Sequence, residues 1–501
     1  MQETKHEHAG GRPIRRVVIA GGGTAGWMMA AGLSKSLGKL LDIKLVESDE
    51  IGTVGVGEAT IPTLMNFHHL LEINEQEFMA ATGATFKLGI SFENWRNVGE
   101  DYIHSFGSTG IDHWTAGFQH FWHKGRERGL AGDFGNYCLE LRAAQENRFA
   151  HLPKDGMNYA YHLDASAYAR YLRKFSERFG VQRIEGKIVD VALDGPGGDI
   201  GSIRLDSGTV LEGDLFIDCT GFRGLLIGQA LGIEYEDWSH WLFNDSAAAL
   251  QTPRQGPAVP MTRAIARDAG WQWRIPLQHR VGNGIVFSRR FTDDEAAVKT
   301  LLANIEGEPL MAPRVIRFQP GQRKKVWHRN CIAVGLASGF LEPIESTSIH
   351  LIQRSIIRLM QCFPTQGIQP SDVEEFNRQT ETDIASIRDF IILHYKVTNR
   401  RDTPYWRAAA EMAVPASLQH RIDLFRETGR VFRIANELFA ENSWIQVMLG
   451  QGIMPQQHHQ TADLMGDEEL AHFLNGISQG IERTVAQLPP HEAYVRQYCA
   501  A

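Results

Sequence analysis

The run Arg16-Val17-Val18-Ile19-Ala20 breaks directly into Gly21-Gly22-Gly23-Thr24-Ala25-Gly26 and then into the apolar stretch Trp27–Leu33. Strand, Gly-x-Gly-x-x-Gly and helix in this order constrain the chain more than any other feature. Gly21 permits a tight turn, Gly23 lets a pyrophosphate approach the backbone, and Gly26 lets helix and strand pack closely. The next apolar strand, Ile43–Val46, ends at Glu47, where a carboxylate can accept both ribose hydroxyls. Gly21, Gly23, Thr24, Ala25, Gly26 and Glu47 are therefore candidate dinucleotide contacts. A tight turn in a Rossmann-like fold that has lost its ligand is the alternative.

A second stretch has the same strand-to-helix logic. Cys331-Ile332-Ala333-Val334 is apolar enough for a buried strand, and Ile349, Ile352, Ile356 and Leu359 make one stripe on a helix. Between them lies Gly335-Leu336-Ala337-Ser338-Gly339-Phe340-Leu341-Glu342-Pro343-Ile344-Glu345-Ser346-Thr347-Ser348. The helix start falls near Ser346–Ser348, where unpaired N–H groups and the helix dipole can hold an anion. An ordinary Ser/Thr cap fits the same residues.

Composition excludes several classes. The 501 residues carry a net charge of −8, which offers no general attraction for nucleic acid or an anionic membrane. There is no run of about 18 apolar residues to span a bilayer. The polar start, residues 1–14, reads as a loose tail rather than a signal peptide. The five scattered cysteines form no Cys-x-x-Cys pair, which fits a reduced, cytoplasmic protein without structural zinc. The 20 histidines include no His-Glu-x-x-His pattern, so no metal is expected.

Further motifs follow along the chain. Val54–Pro62 puts two glycines and a proline around Glu58, as for backbone pressed against a ligand. Lys87 lies between apolar residues in Gly83–Phe92, where an isolated lysine would be expected to snorkel to the surface. Asp101–Gly107 brings flat side chains, His104 and Phe106, suited to an aromatic ring. Gly186–Val191 and Asp214–Phe222 read as strands, with a hairpin turn at Asp206-Ser207-Gly208. Gly270-Trp271-Gln272-Trp273-Arg274-Ile275-Pro276 places two indoles on one strand face.

Taken together these motifs resemble the flavin-dependent halogenases, the tryptophan-halogenase-like group, over roughly residues 15–460. Trp-x-Trp-x-Ile-Pro is the motif that separates that family from flavin monooxygenases. The resemblance implies an α/β fold: a Rossmann-type FAD-binding fold of the flavin monooxygenase kind, with an added β-sheet region and a mainly helical C-terminal lobe. Its implied division is a tail (1–14), an FAD-binding and halide-oxidising module (15–370) and a helical substrate lobe (371–501). It assigns Lys87 and Glu345 as catalytic, Thr347 and Ser348 as halide-binding, and Trp271 and Trp273 as the pocket wall. Ala59, Ile188 and Leu336 join the cofactor contacts; His104, Phe106 and Trp444 hold the substrate.

The implied reaction uses FAD supplied as FADH2 by a separate NAD(P)H-dependent flavin reductase, with O2 and chloride or bromide. The hypohalous acid formed passes inside the protein to Lys87, where it meets a small aromatic substrate. Glu345 orients the oxidant or accepts the proton lost on rearomatisation. No second nucleotide fingerprint for NADPH is present, which favours the external reductase over a single-component flavin hydroxylase. A homodimer is allowed. Tryptophan-specific members bind the amino-acid group with a tyrosine pair and a carboxylate. Asn442–Gly450 has no such pair, and no Asp or Glu lies between Ser443 and Gln460. A buried ammonium without a counter-ion is costly, so free indole or a simple derivative is expected over tryptophan.

Overall fold

A computed structural model describes residues 13–51, 57–153, 156–194, 198–434 and 436–500. The tail up to residue 12 and Val54–Val56 of the glycine-rich loop lie outside the described residues.

The centre is a six-stranded sheet in the order Trp327–His328, Cys331–Ala333, Leu215–Asp218, Arg16–Ala20, Asp42–Glu47, Gln182–Glu185. All its pairings are parallel except that between the first two strands. Buried on both faces, a parallel strand reads as an apolar run rather than an alternating one. Arg16–Ala20 shows why: Val17 and Ile19 enter one apolar cluster, Val18 and Ala20 another. The expected helices Thr24–Leu37 and Ser348–Gln361 follow from the ends of two of these strands.

A second, seven-stranded sheet runs Arg314–Arg317, Ser246–Pro253, Arg280–Phe287, Gly270–Pro276, Met261–Arg267, Gly89–Glu93, Asp101–Ser105. It is antiparallel except between Met261–Arg267 and Gly89–Glu93. A small third sheet pairs Ala160–Asp164 with both Gly57–Ala59 and Thr85–Lys87. It brings the loop after the second strand beside Lys87. The hairpin at Asp206–Gly208 forms between Ile200–Leu205 and Val210–Glu212.

From Pro370 the chain is helical, opening with the 27-residue helix Pro370–Lys396. Proline at its first turn costs no hydrogen bond, since that N–H would be unpaired anyway. Ile384, Ile387, Phe390 and Ile391 of this helix share one apolar cluster with Ile90, Phe92, Trp271 and Trp273 of the seven-stranded sheet. The last two helices, Asp467–Gln487 and His491–Cys499, turn back to the first half: Val485 and Val495 share a core with Phe86 and Phe149. The helical segment after residue 370 thus has its apolar faces completed by both halves of the sheet region.

Candidate active site

The glycine turn opens a cavity of about 1050 Å³ that runs from Gly21–Ala25 to Ser346 and Ser348. Each glycine has a separate reason. Gly21 has φ +109°, and a Cβ there would sit 2.3 Å from the Cys219 carbonyl oxygen. A Cβ on Gly26 would lie 1.9 Å from the Gly21 oxygen, so this glycine serves helix packing. A Cβ on Gly23 would meet nothing within 4 Å among the described residues; Gly23 faces the cavity, with open space beside it. The helix beginning at Thr24 has no side-chain cap, which leaves its first N–H groups facing the cavity mouth as an anion site.

Thr24, Ala25, Glu47, Ala59, Ile188 and Leu336 all line this cavity. Glu47 stands at the end of its strand as expected, and it is held there: Arg183 Nε donates to Oε1 and Trp27 Nε1 to Oε2. Trp271 and Trp273 both line the same cavity, with ring centroids 6.1 Å apart. Trp271 is fixed through its Nε1, which donates to Glu342 Oε2 at 3.0 Å. The same oxygen accepts from Asn244 Nδ2 at 2.8 Å and the Tyr395 hydroxyl at 2.6 Å.

Lys87 does not snorkel. It ends the strand Thr85–Lys87 and is wholly buried. Its Nζ donates to the Thr60 carbonyl at 3.0 Å and to Ser346 Oγ at 2.8 Å, and lies 5.2 Å from the centre of the Phe106 ring. Burial pulls its pKa down to about 7, against an opposing pull from the Glu345 charge. Thr60 follows the cavity-lining run Gly57–Ala59, and Ser346 itself lines the cavity. Lys87 is therefore one hydrogen bond removed from the cavity wall, at Ser346, and faces no bulk water.

Ser346 is the hinge of the second motif. It has φ 59°, left-handed for a residue with a side chain, a conformation that costs of order 1–3 kcal/mol and persists only where surroundings enforce it. Just beyond it the helix Ser348–Gln361 begins, with Thr347 at the N-cap position making no side-chain cap bond. The alternative of an ordinary Ser/Thr cap is thus excluded. Thr347 is buried, Ser348 lines the cavity, and the uncapped N–H groups lie at their backbone.

Glu345 does not pair directly with Lys87. Its carboxylate takes His104 Nδ1 at 2.9 and 3.0 Å, and His394 Nε2 lies 2.8 Å from Oε1, within ion-pair reach but off the line of a straight hydrogen bond. Burial alone would raise the Glu345 pKa, but the charge and hydrogen bond of His104, with the adjacent His394, outweigh it and hold it below the ordinary carboxylate range. His394 is in turn oriented by the Tyr102 hydroxyl, 2.9 Å from Nδ1, and stacks on Phe92 at 4.5 Å. Sequence reading assigned His104 to the substrate; the structure gives it a prior duty as the partner of Glu345. It also packs on Phe390 and Phe439, at 5.5 and 6.1 Å between ring centres.

Trp444, on the helix Glu441–Gly450, is buried with its Nε1 unpartnered. Phe390 meets it edge-on at 4.8 Å, and the Arg421 guanidinium lies 4.0 Å over its ring. Lys87, Phe106, His104, Glu345, Phe390, Phe439 and Trp444 thus form one linked set beyond the cavity.

Against this geometry stands a clear family match. The family model described as tryptophan halogenase matches residues 16–467. This chain belongs to the tryptophan halogenase family. It is 38% identical to tryptophan 7-halogenase RebH from Lentzea aerocolonigenes over 436 residues, 82% of each chain. Among solved structures it superposes on Xcc4156, a flavin-dependent halogenase from Xanthomonas campestris, with a TM-score of 0.96 at 67% identity, covering 97% of this chain and 99% of that one. BrvH, a flavin-dependent halogenase from Brevundimonas sp. BAL3, gives 0.93 at 43% identity, covering 97% and 99%.

The fold is accordingly the Rossmann-type FAD-binding fold, and the chain is an FADH2-dependent halogenating enzyme. The residues present fit FAD: the open space over Gly23, the uncapped helix start and Glu47 suit its pyrophosphate and ribose, and the paired tryptophans flank room for a flat ring system.

The expectation of free indole over tryptophan gains no support. The named relative RebH is a tryptophan halogenase. Outside the window Ser443–Gln460 two carboxylates stand near Trp444. Glu437 is buried and pairs with Arg421, which covers Trp444, while Glu441 opens the Trp444 helix. Sequence reading missed His394 beside Glu345, and the bonds that Lys87 makes to Thr60 and Ser346. Thr60 and Ser346 stood inside motifs already singled out, but only the fold shows which way they point.

Proposed function

We propose that this enzyme halogenates the ring of an indole-type aromatic, tryptophan included, at the linked set beyond the cavity, with Lys87 as the delivering group. When bound, FADH2 with O2 supplies the oxidising power that turns halide into hypohalous acid. Uncapped N–H groups at Thr347 and Ser348 hold the halide at the cavity end, which Ser348 lines. Hypohalous acid then passes to Lys87 at Ser346, which lines the cavity and accepts from the Lys87 ammonium.

Lys87 in its ammonium form has three donors. Two are taken by Thr60 O and Ser346 Oγ, and the third is free to hydrogen-bond the hypohalous oxygen and make the halogen electrophilic. His104, Phe106 and Trp444 set the aromatic ring against it. Glu345, kept ionised by His104 and His394, receives the proton lost on rearomatisation. The observation that carries this reading is the placement of Lys87: wholly buried, yet bonded to a residue of the cavity wall.

A separate flavin reductase is the expected partner, as is general for flavin-dependent halogenases. The described cysteines are all free, which supports a reducing, cytoplasmic location. The test is mass spectrometry of reactions containing reductase, FAD, NADH, chloride or bromide, and a panel with tryptophan and indole. Halogenated tryptophan or indole supports the reading. Oxygenated products without halogen, or NADH oxidation by the enzyme alone, would contradict it.

A further inference from the structure

Away from the cavity, the helix Phe118–Glu127 presents His120, His123 and Glu127 toward the segment that carries His458 and His459. Two of these histidines are spoken for: His120 Nδ1 accepts from the His459 N–H at 3.2 Å, and His459 Nδ1 from the Thr461 N–H at 3.2 Å. The remaining three differ. One ligand atom each from His123, Glu127 and His458 lie within 4.8 Å of one another. His123 is buried, and its Nδ1 has no hydrogen-bond partner among the described residues.

We propose that His123, Glu127 and His458 bind one divalent first-row cation of the zinc class. Two imidazoles and a carboxylate are a borderline-soft donor set suited to zinc. His123 and Glu127 stand four apart on one helix, so they share a face. Asp463 Oδ1 lies 2.9 Å from His458 Nε2, the outer-shell carboxylate that orients metal-bound histidines. With the proton on Nε2, His458 Nδ1 offers a lone pair 3.4 Å from Glu127 Oε2. Two lone pairs facing each other call for a cation between them. The competing arrangement is an imidazolium at His458 bridging Asp463 and Glu127.

The site is held ready without metal. Lys124 Nζ donates to the carbonyls of Ala462 at 2.9 Å and Met465 at 2.7 Å, pinning the same segment to the helix. None of the three ligands lines the cavity, so the cation is a clamp between helix and segment rather than a participant in halogenation.

The test is zinc chloride titrated calorimetrically into chelator-treated full-length protein, with metal content measured after dialysis. A His6→Ala/His8→Ala background removes the tail histidines from the count. One zinc per chain is expected, with binding lost in Glu127→Gln and His458→Gln. Neither of those positions is fully buried, and retained FAD binding checks their folding. Asp463→Asn should weaken binding by about 10–100-fold. Zinc binding that is absent, or equal in the parent and in His458→Gln, overturns the proposal and leaves the imidazolium bridge.

Discussion

At the residue scale the decisive group is Lys87, because one environment sets both its chemistry and its cost. Its pKa falls from 10.5 to about 7 because burial penalises the charged form. Between those values the unfolded chain carries the proton and the folded chain does not, so stability rises with pH there. The penalty is therefore complete below pH 7 and gone above about 10.5. Lys87→Met should stabilise the fold at pH 6 by roughly 2–4 kcal/mol, with the gain shrinking toward pH 10, as read from denaturant midpoints. Halogenation that depends on the ammonium should fall as pH rises through about 7; a rise across that limb would instead mark attack by the neutral amine. Glu345→Gln removes the proton acceptor but keeps the shape. Turnover should drop by about 10²–10⁴-fold with FAD affinity unchanged in fluorescence titration.

At the scale of elements, the two strand-to-helix connections divide fold from function position by position. Gly23→Ala should leave the unfolding free energy within about 0.5 kcal/mol of the parent, since its Cβ would meet nothing within 4 Å among the described residues, yet weaken FAD binding at least about tenfold by filling pyrophosphate space. Gly21→Ala strikes the Cys219 carbonyl from φ +109° and should destabilise the fold itself. In the other connection, Ser346→Val puts a β-branched side chain at φ 59° and should cost about 1–3 kcal/mol by denaturant unfolding. Both connections were readable because their signals are local: glycine spacing, an apolar strand before, an apolar helical stripe after. Trp271 and Trp273 were readable for the same reason, through the two-residue period of a strand. The duties of His104 and His394 were not. Glu345 meets them only because the helix Pro370–Lys396 lies across the seven-stranded sheet, and no spacing within one segment encodes that crossing.

At the scale of the whole molecule, both halves of the chain wall the cavity, from Gly21–Ala25 to Ser346 and Ser348, and the helix Pro370–Lys396 shares one apolar core with the seven-stranded sheet. The fold class and the cavity wall followed from sequence, whereas the closing contacts, Glu437 on Arg421 over Trp444 among them, join residues far apart in the chain. On the reading proposed above, hypohalous acid made at one end travels inside the protein to Lys87 at the other. The most direct test is Lys87→Ala assayed with reductase, FAD, halide and tryptophan or indole, with a soluble scavenger present to trap escaped hypohalous acid. The account predicts normal FAD binding and oxygen consumption, trapped halogen in the scavenger, and aromatic halogenation reduced by at least about 100-fold. Undiminished halogenation of the aromatic by the variant would contradict it.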